Sequence, residues 1–312
     1  MIITKSKMRE VLANLSAAYP IAAPAEQGRV LDFLEITDIS RIIMDDRITY
    51  KSPKEFFFPR CEKLLSFRAG EAVATMPKQG FAVFGAKPCD LDALATMTKV
   101  FTQGKFKDPF FAARLEQNLL IGVSCQEQKA GCFCEKLSVD RSISHQCDLF
   151  LEGTEDAYTV RYVSDKGRAR LSAFIPHLNA FENQAPPPQT PPVLSVPKDA
   201  DWETMTETCQ SCGLCTFICP TCHCFDFKDT EQGDTADRYR IWDSCMYPKF
   251  TLHASGHNPR TATADRYRQR ILHKYEYVPQ NAGAIACTGC GRCIRSCPAG
   301  LDIRRMTEEG NG

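Results

Sequence analysis

The stretch Cys209-Gln210-Ser211-Cys212-Gly213-Leu214-Cys215-Thr216-Phe217-Ile218-Cys219-Pro220 decides what kind of chain this is. Its pattern, C-x2-C-G-x-C-x3-C-P, is written a second time at 287–298. Three cysteines at this spacing let a tight loop wrap one iron–sulfur cluster, and the glycine lets the backbone turn close to the sulfides. In two-cluster ferredoxins the fourth cysteine, which precedes the proline, binds the other cluster. The repeat therefore predicts two [4Fe–4S] clusters with crossed ligation.

Crossed ligation assigns eight cysteines to two sets. The predicted ligands of the first cluster, here the first quartet, are Cys209, Cys212, Cys215 and Cys297. Those of the other cluster, the second quartet, are Cys287, Cys290, Cys293 and Cys219. Structural zinc uses two C-x2-C pairs that are well separated, so a third cysteine this close has no place in a zinc site. Disulfides need an oxidising compartment, which nothing in the sequence indicates.

The composition is that of an ordinary globular protein with an unusual number of thiols. The chain has 312 residues, 43% of them hydrophobic, and 38 basic residues balance 38 acidic ones. A neutral chain has no overall attraction for nucleic acid or for an anionic membrane. Seventeen cysteines without a secretory signal indicate thiolate ligands in a reducing compartment. No apolar run reaches membrane-spanning length, so we expect a cytoplasmic protein with no direct membrane insertion.

The chain divides at a proline-rich stretch. Residues 186–198 are predicted to be a linker, because polyproline is stiff and poor in hydrogen-bond donors. Before it, at 1–185, buried strands near 80–85 and 118–124 flank a helix over 90–101, which predicts an α/β domain. Residues 157–175 are predicted to form strands around a turn at Ser164. After the linker, 199–312 are predicted to be a mostly helical two-cluster ferredoxin domain.

Four more cysteines form an N-terminal cysteine group. It consists of Cys89, Cys125, Cys132 and Cys134, and the first two directly follow predicted strands, where α/β folds gather ligands. Four thiolates are enough for a third cluster. Their spacing leaves open zinc or simple packing, since free cysteines are often small buried apolar residues.

The remaining cysteines and the arginines of the second motif are not assigned as cluster ligands. We call Cys222, Cys224 and Cys245 the thiol triad, and we expect it to pack beside a cluster, because the two quartets already account for two clusters. Arg292, Arg295, Arg304 and Arg305 place positive charge around the second motif. Surface solvation is their simplest role, and the alternatives are that they raise the reduction potential of a cluster or mark a docking face.

Several segments, taken together, resemble a known family. They are Lys87-Pro88-Cys89-Asp90, Cys125 to Cys134, Cys209 to Cys224, Trp242-Asp243-Ser244-Cys245 with Gly256-His257, and Cys287 to Pro298. In this order they resemble the iron–sulfur A subunit of anaerobic sulfite reductase and the related beta subunit of cytosolic sulfhydrogenases. The resemblance implies an electron-transfer subunit without its own flavin, and a third [4Fe–4S] cluster on the N-terminal cysteine group.

The resemblance also implies partners. Electrons would come from a subunit that binds FAD and oxidises NAD(P)H, and would go to a catalytic subunit of the sirohaem sulfite reductase or NiFe hydrogenase type. The chain has no G-x-G-x-x-G motif, nucleophile–base pair or paired carboxylates, so substrate chemistry is expected in the partner. The alternative is that the chain itself reduces a disulfide or sulfur substrate at an unusual cluster near the thiol triad. A nucleic-acid-binding redox sensor is disfavoured by the neutral charge.

Overall fold

The computed structural model describes residues 1–175, 196–197 and 200–308. The predicted linker at 186–198 lies outside the described residues except for residues 196–197. The two-domain division on either side of it stays a prediction.

The N-terminal region is built on a seven-stranded mixed sheet. Its strands, in spatial order, are β1 (Ile2–Thr4), β9 (Ala157–Tyr162), β8 (Leu149–Gly153), β7 (Leu119–Val123), β6 (Ala82–Ala86), β2 (Ile21–Gln27) and β3 (Val30–Ile36). The four inner strands run parallel, and antiparallel strands close both edges. Every residue of β6 and β7 is buried, as their continuous apolar sequences predict.

Helices cover both faces of this sheet. Helix α1 (Lys5–Leu15) packs Met8 and Leu12 against one face, whereas α2 (Pro88–Thr102) and α3 (Pro109–Gln117) cover the other. Because side chains alternate along a strand, neighbouring residues such as Ala82 and Val83 belong to opposite cores. The predicted α/β architecture of the N-terminal region is confirmed.

The prediction of strands throughout 157–175 is wrong in its second half. Strand β9 ends at Tyr162, and helix α4 (Asp165–Leu171) follows. The Ser164 side chain accepts a hydrogen bond from the Gly167 amide at 2.9 Å, which caps the helix. Ser164 and the residues that follow it therefore begin a helix and do not form a turn between strands.

A second, four-stranded antiparallel sheet joins segments from both sides of the predicted linker. Its order is β10 (Phe225–Gln232), β11 (Thr235–Trp242), β4 (Cys61–Arg68) and β5 (Glu71–Ala74). Strand β11 pairs with β4 over residues 235–241 and 61–68, with one register shift. The C-terminal region thus continues a sheet that begins in the N-terminal region.

The C-terminal region otherwise consists of short helices and loops. These helices are α5 (Trp202–Thr206), α6 (Leu214–Phe217), α7 (Thr263–Leu272), α8 (Val278–Ala282), α9 (Arg292–Arg295) and α10 (Arg305–Glu308), with a π-helical turn at His273–Tyr277. Short 3-10 turns lie at Ile39–Arg41, Pro53–Phe56 and Cys134–Leu137. The mostly helical character predicted for this region is not confirmed, because two eight-residue strands run through it. Among the described residues, no helix is both long and apolar enough to cross a membrane.

Candidate functional site

The two cysteine motifs fold in the same way. In each, the glycine after the second cysteine has a positive φ, +74° at Gly213 and +69° at Gly291, and starts a four-residue helix. These helices, α6 and α9, pack against each other. A methyl group on Gly213 would lie 2.7 Å from the Tyr247 ring, and one on Gly291 would collide with the Gly131 backbone. Glycine is therefore required by both backbone conformation and space.

The first quartet surrounds one cavity. The space measures about 510 Å³ with its open mouth included, and its walls carry Cys209, Cys212, Cys215 and Cys297. Apolar side chains including Met246, Leu301 and Ile303 form much of the remaining wall. The structure thus brings a cysteine of the second motif to the loop of the first.

The second quartet surrounds a smaller, neighbouring cavity. This space measures about 310 Å³ with its open mouth included, and Cys219, Cys287, Cys290 and Cys293 line it. Cys293 also lines the first cavity, so the two spaces share a wall. The ligand assignment itself stays a prediction. Within the part of the chain that the structure describes, no three Cys, His, Asp or Glu side chains are arranged to hold a single metal ion.

Buried donors point to an acceptor missing from the protein chain. Arg270 Nε and Thr288 Oγ1 are buried without a hydrogen-bond partner among the described residues. Arg270 lines both cavities and Thr288 lines the second. Because buried polar groups in proteins are nearly always paired, an occupant with acceptor atoms is expected here. The sulfides and thiolates of an iron–sulfur cluster are such acceptors, so the residues present fit this group.

The electrostatics of the two cavities also fit an anionic occupant. Lys274, in the π-helical turn, donates to Cys219 Sγ at 3.1 Å, Thr221 Oγ1 at 3.1 Å and Ala286 O at 2.7 Å. Neither Lys274 nor Arg270 forms an ion pair with a carboxylate of the described residues, although both are buried. Burial opposes the charged form of Lys274, but the thiolates of Cys219 and Cys222 outweigh it and raise the pKa of Lys274. Clusters bound to thiolates would supply the compensating negative charge.

The N-terminal cysteine group lies against the second motif. Cys132 Sγ is 3.3 Å from Cys290 O, and the Phe133 amide donates to Gly289 O at 2.8 Å. Cys132 is close enough to the other three thiols of the group to affect their ionisation. Burial is the main reason that the pKa values of Cys89, Cys125 and Cys134 are raised. The structure therefore gathers these four cysteines into one region, next to the second quartet.

Arg292 does not solvate the surface, and that simplest interpretation is wrong. It is 1% exposed, and it donates to both carboxylate oxygens of Asp90, at 2.6 and 3.0 Å. It also donates to Thr49 O at 2.9 Å. No periodicity in the sequence distinguishes this arginine from an exposed one. The neighbouring Arg295 lies closer to the surface and donates to Ala130 O at 2.8 Å.

Comparison with known proteins defines the class to which this site belongs. Residues 208–301 match the family model described as a 4Fe-4S dicluster domain. The C-terminal region is therefore similar to iron–sulfur regions of the dicluster class, as the repeated motif predicts.

A second comparison extends over nearly the whole chain. The chain is 28% identical to sulfhydrogenase 2 subunit beta of Pyrococcus furiosus across 328 aligned residues, covering 96% of this chain and 95% of that protein. The predicted resemblance to the sulfhydrogenase beta-subunit family is thereby confirmed. No solved structure matches the chain.

Proposed function

We propose that this chain is the iron–sulfur electron-transfer subunit of a larger oxidoreductase. The single observation that carries the proposal is the pair of adjoining cavities, each lined by one predicted quartet and both lined by Cys293. When bound, a [4Fe–4S] cluster supplies a one-electron couple whose potential depends on burial, hydrogen bonds and nearby charge. Adjacent sites of this kind form a path for single electrons.

The quartets are proposed to bind with crossed ligation. Cys297 closes the first cavity and Cys219 closes the second, so each motif contributes its fourth cysteine to the other site. Around them the chain supplies donors, cations and apolar walls that keep water away. Arg270 faces both cavities and Lys274 contacts Cys219, so both residues favour the more negatively charged, reduced form.

A third cluster is proposed on Cys89, Cys125, Cys132 and Cys134. Cys125 lies just after β7 and Cys89 at the start of α2, both at the carboxyl edge of the parallel strands. The contact of Cys132 with Cys290 O would place this cluster next to the second one. The proposed path therefore extends from the C-terminal motifs into the α/β region.

The proposed partners follow from the relative's name and from what the chain lacks. The Pyrococcus furiosus protein is by name a subunit of a sulfhydrogenase. By analogy, this chain would accept electrons from a subunit that binds FAD and oxidises NAD(P)H. It would pass them to a catalytic subunit, either a NiFe hydrogenase or a sirohaem sulfite reductase. A flavin can take up a hydride and release electrons one at a time, which suits one-electron sites. The complex would work in the cytoplasm.

The experiment that tests the relay uses the complex assembled from this chain and the subunits encoded beside it. NAD(P)H-dependent activity of the catalytic subunit should be lost in the Cys290→Ser variant but retained in Cys61→Ser, which changes an exposed thiol. Direct reduction of the catalytic subunit by dithionite should remain in both. Full NAD(P)H-linked turnover after loss of the second quartet would show that electrons take another route.

A further inference from the structure

The thiol triad lies where the β10–β11 hairpin begins and ends. Cys224 immediately precedes β10, and Cys245 follows β11 after two intervening residues. The hairpin pairs Phe225 with Trp242, and the Asp243 amide donates to Cys224 O at 3.0 Å. Backbone pairing therefore fixes the distance between cysteines that are 21 positions apart in the sequence.

The three thiols contact one another or the second quartet. The Cys224 side chain lies beside that of Cys245, and the Cys222 side chain lies beside that of Cys219. All three triad side chains are partly exposed, in contrast to Cys219, which is buried. The triad thus lies between the second cavity and the surface.

A buried lysine faces the triad from the N-terminal region. Lys54 is 3% exposed, and its Nζ donates to Cys219 O and to Cys222 O, both at 2.9 Å. Its Nζ also lies 4.0 Å from the centroid of the Trp242 ring. Within the described ranges no carboxylate forms an ion pair with Lys54. Among the described residues none forms one with Lys274 either, whose Nζ instead contacts Cys219 Sγ.

The buried ammonium group of Lys54, which contacts Cys222 O, needs compensating negative charge in addition to that which the second quartet supplies to Lys274. Carbonyl oxygens and an aromatic ring stabilise an ammonium group, but removing its charge from water remains unfavourable. Three thiolates bound to iron would supply this charge, whereas three neutral thiols would not. Packing alone therefore accounts for the triad but not for the buried charge of Lys54.

The histidine between the triad cysteines does not complete the site. The His223 Nδ1 is 2.9 Å from Thr221 O, and its ring lies 5.4 Å from the ring of His273. It is directed toward a separate pocket with Lys99 and Asn281. The protein thus offers three thiol ligands at this place.

We propose that Cys222, Cys224 and Cys245 bind a further [4Fe–4S] cluster through three cysteines, leaving one iron open to a small sulfur-containing ligand. Three-cysteine ligation leaves one corner of a cubane cluster without a protein ligand. The proximity of Cys222 to Cys219 would place this cluster beside the proposed second cluster, with which it can exchange electrons. A sulfur-containing ligand at this cluster would extend the proposed electron-transfer function, on which this inference rests. The site itself uses none of the eight cysteines of the quartets.

The first test measures iron. The full chain, purified without oxygen and reconstituted with iron and sulfide, is compared with the Cys222→Ala/Cys224→Ala/Cys245→Ala variant and with Cys61→Ala as the control. We expect the triple variant to lose about four irons and four sulfides per chain, and Cys61→Ala to lose none. Low-temperature EPR after dithionite reports whether the quartet signals persist in the variant, which separates loss of this site from misfolding. The single variant Cys245→Ser serves if the triple variant does not fold.

The second test addresses the open iron. Mild ferricyanide oxidation should convert only the three-cysteine cluster to a three-iron form, with release of one Fe²⁺ and one electron, and produce the EPR signal of an oxidised [3Fe–4S] centre. Addition of 2-mercaptoethanol beforehand should protect the iron. Unchanged iron in the triple variant, or three freely alkylated thiols in the loaded wild-type chain, would overturn the proposal. Absence of the quartet signals in the wild type would instead refute the relay.

Discussion

The guanidinium group of Arg292 forms a buried, bidentate ion pair with the carboxylate of Asp90. The distances are 2.6 and 3.0 Å, and both side chains are 1% exposed. Arg292 follows Cys290 by two positions, and Asp90 follows Cys89 by one. The pair therefore joins the second motif to the helix that carries a cysteine of the N-terminal group.

Breaking this pair should destabilise the fold. In Arg292→Met, Asp90 would remain as an uncompensated buried charge, and we expect the free energy of unfolding to fall by about 3–5 kcal/mol. Urea unfolding under anaerobic conditions measures it. The double variant Asp90→Leu/Arg292→Met should recover much of the loss, because neither charge is then left alone. If the double variant is as unstable as the single one, the cost arises from packing and not from the unpaired carboxylate.

Lys274 should raise the reduction potential of the cluster on the second quartet. Its hydrogen bond to Cys219 Sγ and its positive charge favour the reduced form. A preference of about 1.4 kcal/mol corresponds to about 59 mV for a one-electron couple. Lys274→Met should therefore lower one midpoint potential in an EPR redox titration by tens of millivolts. The other midpoints should change much less, and Lys274→Arg should restore most of the shift. An unchanged set of potentials would contradict this role.

Crossed ligation predicts which cysteine variants resemble each other. Cys297→Ser should disturb the same EPR signal as Cys209→Ser, although the two residues belong to different motifs. Cys219→Ser should likewise match Cys287→Ser. The spectra of the four variants, recorded after dithionite reduction, give the grouping directly. Grouping by motif instead, with Cys297→Ser resembling Cys287→Ser, would show that each motif binds its own cluster.

Asp92 should make stability depend on pH. Burial raises the pKa of Asp92 to about 6, and the nearby Asp140 adds to the rise. The folded chain binds this proton more tightly than the unfolded chain, so protonation of Asp92 stabilises the fold. The stabilisation is complete below the pKa of Asp92 in the unfolded chain, near 3.8. It is lost as the pH rises through about 6. Asp92→Asn should thus raise the free energy of unfolding by about 1–3 kcal/mol at pH 8 and have little effect near pH 4. Urea unfolding at both pH values, with Asp156→Asn as a control, checks this. Equal effects at the two pH values would argue against titration of Asp92.

Some of the architecture could be predicted because its cause is local. The apolar runs at 80–85 and 118–124 predict buried strands, and the structure shows them at Ala82–Ala86 and Leu119–Val123. The helix predicted over 90–101 is observed as Pro88–Thr102. The helix at Asp165–Leu171 also has a local cause, because the Ser164 side chain caps its first turn. Serine is common in turns as well, and the sequence therefore predicts a turn there.

The sequence by itself determined the similarity of the C-terminal region to dicluster iron–sulfur domains and predicts the ligands, because the spacing of the cysteines places the thiols of each motif within a few residues of each other. What it could not determine are contacts between distant segments. The pairing of β11 with β4, the burial of Arg292 against Asp90 and the approach of Lys54 to Cys222 join residues more than 160 positions apart. Such contacts depend on how whole sheets and helices pack, and they leave no periodic trace along the chain. Only the tertiary structure decided which cations are buried beside the cysteines and that the N-terminal cysteine group lies against the second motif.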